Sequence, residues 1–178
     1  MVPGGMVAIT DSGGEREHLA DLADDAGVPF AQIGEATTAR LAERLDYGLD
    51  PVNPLDAWGT GHDYLNIFLD CWRALMADDD CAVGIWVADL RDGEKYRTPF
   101  QKGAKAIAEE TGKPMVFATC VPNAIVHETA RDLFRDGIPL IDGLDNAVIA
   151  VARLMAWRDH RPASAMTPLA GSRPLNGR

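Results

Sequence analysis

Short apolar runs punctuate the chain, and between them hydrophobic residues recur every three or four positions. The runs predict strands at Met6 to Thr10, around Pro29 to Ile33, at Ala82 to Ala88, at Met115 to Thr119 and near Pro139 to Ile141. The periodic stretches predict helices. Gly14 to Ala26 places Leu19, Leu22, Ala23 and Ala26 on one face, and Gly27 ends it. Further amphipathic stretches are Glu35 to Leu45, Asp63 to Ala77 with Asp63 as N-cap, Ala124 to Arg135, and Leu144 to about Arg158. "TPFQ", Thr98 to Gln101, combines a capping Thr, a Pro at the first helical position and a Gln three residues on, which predicts a helix from Pro99 to Thr111 closed by Gly112.

Strands alternating with helices are the signature of βαβ units. The predicted architecture is therefore α/β, a doubly wound parallel five-stranded sheet of order 2-1-3-4-5 with helices on both faces. Ligands in such sheets bind beyond the carboxyl ends of the strands, near the point where the strand order reverses. Here that edge holds residues 11–15, the loop after strand two, and residues 89–94.

The length of 178 residues suits one domain, expected over residues 1–160, followed by a Pro-, Ser-, Gly- and Arg-rich linker or disordered tail over 161–178. With 17 Lys plus Arg against 27 Asp plus Glu, the formal net charge is -10, which argues against nucleic-acid partners and anionic membrane surfaces. No apolar run approaches the roughly 20 residues of a spanning helix, and the N-terminus lacks a signal-peptide pattern, so the expected location is cytoplasmic. Cys71, Cys81 and Cys120 form no C-x-x-C pair and the four histidines show no metal-ligand spacing, so no metal site is expected.

Two loops carry candidate chemistry. In "TDSGGE", Gly13 and Gly14 let backbone approach an anion while Ser12, Gly13 and Gly14 offer amides at a helix start. One helix terminus is worth only about 0.3–2 kcal/mol to a single charge, so neighbouring loops must converge on it. Ser12 and Glu15 also match a capping box, which competes for those amides. The second loop, "NPLDAWGTG" from Asn53 to Gly61, is dense in turn-formers. Asp56 can tie its own loop, Gly59 and Gly61 admit positive φ, and Thr60 adds a hydroxyl.

In this order and spacing, "TDSGGE", "NPLDAWGTG", "AVGIWVADLRDG", "GKPMVF" and "DGIPLIDGLDNAVIAVARLMAW" resemble the NDP-forming acyl-CoA synthetases, relatives of succinyl-CoA ligase. The resemblance runs from Val7 to Arg158 and is to the small flavodoxin-like ligase domain that precedes the ATP-grasp portion in fused members. It implies an acid-thiol ligase that makes acyl-CoA through an acyl phosphate and a phosphohistidine that swings between two sites. Ser12, Gly13, Gly14 and Glu15 would form one of two helix tips that receive the phosphohistidine, and Asn53, Asp56, Gly59, Thr60 and Gly61 would line the site. The family's S-H-T-G histidine loop, its CoA-binding fingerprint and its ATP-grasp domain are missing here. The chain alone should thus not catalyse ligation and should bind no cofactor by itself. ATP, Mg²⁺ and CoA would belong to the holoenzyme, whose CoA-binding and ATP-grasp domains would be this chain's partners, beside a possible homodimer.

Rival readings are a receiver-like or flavodoxin-like binding module, in which Asp11 and Asp89 would supply acids, and a structural dimerisation domain. His62 lies beside the proposed pocket and is better read as a helix-start residue than as a phospho-acceptor. Asp89, Arg91 and Asp92 read as solvated loop charges and Cys120 as a small hydrophobe. Trp72, Trp86 and Trp157 fall on predicted core faces, whereas Trp58 is placed for a domain interface.

Overall fold

Residues 1–88, 97–120 and 127–160 are described in a computed structural model of the chain. Five parallel strands form one sheet in the order β2-β1-β3-β4-β5. The strands are β1 (Gly5–Thr10), β2 (Leu55–Asp56), β3 (Cys81–Val87), β4 (Met115–Thr119) and β5 (Leu140–Asp142). The helices are α1 (Gly13–Asp25), α2 (Glu35–Arg44), α3 (Tyr64–Ala77), α4 (Arg97–Thr111), α5 (His127–Arg135) and α6 (Leu144–His160). No helix among the described residues is long and apolar enough to cross a membrane.

Strands β1, β3 and β4 are buried along their whole length, as apolar runs covered on both faces must be. One face packs on α1 and α6 through Leu19, Ala23, Val148 and Val151. The other packs on α2, α3 and α4 through Leu41, Phe68, Trp72 and Ile107. At its centre Trp86 lies 5.5 Å from Trp72 and 5.3 Å from Phe117, ring centroid to ring centroid. Helix α3 carries seven buried residues on the stripe its periodicity dictates.

The second strand is not where the periodicity put it. Pro29 to Ile33 contributes only an isolated bridge, Met6 to Phe30, before the chain turns away. The Gln32 amide donates to Asp80 Oδ2 at 2.7 Å and the Gly34 amide to Asp78 Oδ2 at 2.9 Å, drawing this segment toward the α3–β3 turn. The edge strand is Leu55–Asp56, paired with Ile9 and Thr10. Between the two pieces the Asn53 side chain completes the ladder: Nδ2 donates to the carbonyls of Met6 (2.9 Å) and Ala31 (3.1 Å), and Oδ1 accepts from the Ala8 amide (2.9 Å). Asn53→Ala takes this partner from the Ala8 amide and the Ala31 carbonyl and leaves the Met6 carbonyl only the Ala31 amide, and we expect it to cost about 2 kcal/mol in urea unfolding at unchanged m-value.

Three further expectations are corrected. Asp63 stands at the N-cap of α3 but in the left-handed region (φ 54°) and caps nothing with its side chain. Its carboxylate instead takes the Asn66 amide group at 2.6 Å and faces Arg44 at 3.5 Å. Helix α4 starts at Arg97, ahead of Pro99, and Gln101 reaches Thr129 O at 3.5 Å. Trp157, expected in the core, is 52% exposed because it lies off the α6 stripe of Leu144, Val148, Val151 and Met155, whose phase is continued by Arg158, which donates to Gly4 O at 3.1 Å.

At the opposite edge from the ligand loops, buried Asp78 accepts from the Thr37 hydroxyl at 2.6 Å as well as from Gly34. Burial pushes its carboxyl up, but these bonds, the Asp80 amide and nearby Lys113 outweigh it and hold the pKa below the ordinary value. Its contribution to stability is therefore present at neutral pH and lost as the pH falls through the carboxylate range.

Candidate functional site

Strand β1 delivers the chain to the ligand edge at Thr10, whose buried hydroxyl shares its one proton between Ser12 O (3.1 Å) and Leu55 O (3.2 Å). That one side chain ties the start of α1 to the edge strand. Sequence reasoning passed over it, since a strand-terminal Thr carries no signal of its partners. Ser12 is the N-cap, extended at φ -157° and ψ 151°, and its Oγ accepts the Glu15 amide at 3.3 Å. The Glu15 carboxylate reaches back to the Asp11 amide at 3.4 Å, so a long, slightly displaced capping box does form.

That box uses the amides of Asp11 and Glu15 and not those between them. Gly13 and Gly14 N–H have no hydrogen-bond partner among the described residues. Nothing lies within 4 Å of a β-carbon built on Gly14, so this side of the tip is open. A β-carbon on Gly13 would lie 3.7 Å from Asp56 Oδ2, which brings the two sequence-predicted loops into contact at the tip. Asp56 holds its place through Oδ1, which accepts the Trp58 amide at 3.0 Å, an Asx turn.

The rest of the second loop is folded on itself. Asp46 Oδ2 accepts both the amide (2.7 Å) and the hydroxyl (2.9 Å) of Thr60, and these bonds, with His62 as a lesser influence, hold the Asp46 carboxyl below its usual pKa. Gly59 is required here, because a β-carbon would fall 2.3 Å from the same Asp46 oxygen. Gly61 (φ 76°) turns the chain beneath the Trp58 ring, which stacks 5.2 Å from Tyr64 at a tilt of 47°. Exposed His62 donates its amide to Thr60 Oγ1 at 3.4 Å. Asn53, as described above, spends its side chain on the sheet. Of the sequence-predicted set, then, Ser12, Gly13, Gly14, Glu15 and Asp56 meet at one tip, while Gly59, Thr60 and Gly61 build the turn around Asp46. Asp46 lies in a loop whose composition gave it no distinction from any other surface aspartate.

The candidate residues Asp89, Arg91 and Asp92, and the segment 161–178, lie outside the described residues. No cluster of three metal-ligating side chains exists among the described residues. Burial pushes the Cys71 thiol up to about 12 and the Cys81 thiol to about 11, and Cys120 packs half-buried against the α1–α6 face. We expect Cys71 and Cys81 to resist a disulfide reagent at pH 8 in the folded chain and both to react in denaturant.

No protein-family model matches the sequence, and no curated protein matches it. Solved structures do. One is the crystal structure of PH0766 from Pyrococcus horikoshii OT3, with TM-score 0.72 and 19% identity over 88% of this chain and 36% of that one. Others are the dinucleotide forming acetyl-coenzyme A synthetase 1 of Ca. Korarchaeum cryptofilum in its apo form (TM-score 0.70, 19% identity) and in complex with phosphate and ADP (0.68, 18%). The fold is shared. This chain covers 35% and 34% of those two, so it spans about a third of each longer polypeptide, with 89% of its own residues aligned.

Proposed function

We propose that this chain is a domain of an NDP-forming acyl-CoA synthetase and that the α1 tip receives a phosphorylated histidine carried by another domain. The observation that carries this reading is the pair of amides at Gly13 and Gly14, open beside Asp56 at the ligand edge of a sheet whose fold recurs in an acetyl-coenzyme A synthetase.

The chain's own contribution is electrostatic. Two amides without a partner among the described residues stand at the positive end of α1 beside open space at Gly14, and phosphoryl oxygens seated there would accept from them. The Asp56 carboxylate, turned toward Gly13, disfavours a bare phosphate dianion, so the tip suits a phosphoryl group that arrives attached to a base able to share charge with that carboxylate. No acceptor nucleophile is needed at this tip. ATP, Mg²⁺ and CoA would be bound by the CoA-binding and ATP-grasp domains, which supply the activation and thiol steps.

The scaffold alternative has one observation in its favour, the Ser12–Glu15 box, which is what a helix start with no ligand would also carry. Gly14→Asp in the complete enzyme separates the two. Loss of histidine phosphorylation from ATP with folding intact supports the phosphohistidine site, and undiminished phosphorylation overturns it.

A further inference from the structure

Asp56 stands beside the α1 tip with its two carboxylate oxygens in different situations. Oδ1 accepts the Trp58 amide at 3.0 Å, whereas Oδ2, turned toward Gly13, has no hydrogen-bond partner among the described residues. The amides of Gly13 and Gly14 have none either. A free carboxylate beside a helix start ordinarily takes such amides, because the bond satisfies an orphan donor and the charge meets the positive end of the dipole. That Asp56 leaves them alone requires a restraint. The restraint is the Trp58 amide, which keeps the carboxylate in its Asx turn while Oδ1 is bonded there.

The Trp58 amide is in turn placed from outside its own turn. Two residues on, Thr60 gives both its amide (2.7 Å) and its hydroxyl (2.9 Å) to Asp46 Oδ2. Asp46 belongs to the segment leaving α2 and is fixed on both sides, by the Leu45 amide on Leu41 O (2.9 Å) and by the Leu49 amide on its own carbonyl (3.2 Å). Nearby, Arg44 pairs with Asp63 at 3.5 Å and joins the end of α2 to the start of α3. The clasp is close, since a β-carbon on Gly59 would fall 2.5 Å from Asp46 Cβ. Gly59 alone separates Trp58 from Thr60, and glycine has the widest backbone freedom of any residue, so the chain itself does not hold the Trp58 amide in place. The contact of the Trp58 ring with Tyr64 fixes the side chain and not the amide.

We propose that Asp46 is a positioning residue for the α1 tip: through Thr60 and the Trp58 amide it holds the Asp56 carboxylate in its turn, and release of this clasp lets Asp56 swing onto the Gly13 and Gly14 amides and close the tip. The tip then has an open and a self-capped form, selected by a clasp between residues 14 apart in sequence. What the open form serves rests on the phosphohistidine reading above. The device itself belongs to this chain and is tested without any histidine transfer.

Hydrogen exchange of single amides with water, followed by NMR on the 178-residue chain, makes the test. In the parent, the Gly13 and Gly14 amides should exchange near the rate of unprotected amides. In Asp46→Ala we expect them to slow about tenfold as Asp56 caps them, and the Trp58 amide to speed up about tenfold, while β3 and β4 keep their protection. Asp46→Ala combined with Asp56→Ala should return Gly13 and Gly14 to the parent rate, because the carboxylate that closes the tip is gone. Thr60→Val removes one of the two clasp bonds and should move the same amides in the same directions by less. Thr60→Ser keeps both bonds and should match the parent. A clasp that served stability alone would leave exchange at the tip unchanged or make it faster, never slower. Unchanged or faster exchange at Gly13 and Gly14 in Asp46→Ala, or a slowing that persists once Asp56 is removed, would overturn the proposal. Gly14→Asp in the complete enzyme remains the separate test of the phosphohistidine reading, so the two can fail independently.

Discussion

Replacing Gly84 with valine is expected to lower stability by about 3 kcal/mol or more, through overpacking of a core with no slack. Gly84 lies in the middle of β3, paired with Val7 on one side and Met115 on the other, so the backbone cannot move aside without breaking two ladders. A β-carbon there would fall 2.4 Å from Trp72 Cη2 and 2.5 Å from Met76 Sδ. Trp72 is itself fully buried and packed on Trp86 at 5.5 Å, which leaves the indole nowhere to retreat. For a chain of this size each kcal/mol moves the melting temperature by roughly 2–4 °C, so the valine variant should melt about 6–12 °C below the parent by circular dichroism. Alanine should cost less, and Trp72→Leu should recover part of either loss, because the clash is with that ring. A valine variant that melts with the parent would show that β3 and α3 are not packed this closely.

The second large effect is on chemistry and leaves the fold alone. Gly14→Asp places a carboxylate in the first turn of α1, where space is open and the helix dipole favours an acid, so thermal stability should hold or rise by a few tenths of a kcal/mol. A phosphoryl group seated on the same amides would meet that charge at about 4 Å. At an effective dielectric of 20 this costs about 4 kcal/mol per charge pair, or nearly three decades in rate before screening. In the complete enzyme, histidine phosphorylation from ATP should therefore fall at least 100-fold, with an unchanged melting curve. Opposite movement of stability and activity is the mark of a ligand site, since a purely structural role would move both together or neither. Gly14→Ala, which adds no charge, should retain most of the transfer.

The amino-acid order by itself determined the frame. Runs such as Met115 to Ala118 are apolar at every position, and only burial on both faces satisfies them, so β1, β3 and β4 and the alternation with helices follow from local pattern. Gly27 at φ 65° and Gly112 at φ 63° end α1 and α4 as their positions require, and the Ser12–Glu15 spacing foretold the box that forms. These are features decided within one turn or one strand.

What only the tertiary structure decided depends on partners distant in sequence. The edge of β1 could have taken Pro29 to Ile33, but Asp78 and Asp80 claim the amides of that segment from more than forty residues away, and Asn53 and Leu55–Asp56 fill the place. Two residues of strand carry too little periodicity to announce themselves. Thr60 offered the same donors to a ligand in sequence as it gives to Asp46 in the fold. A side chain's period fixes its direction from its own helix or strand, whereas its partner is fixed by where the other elements end, and that is a property of the assembled sheet.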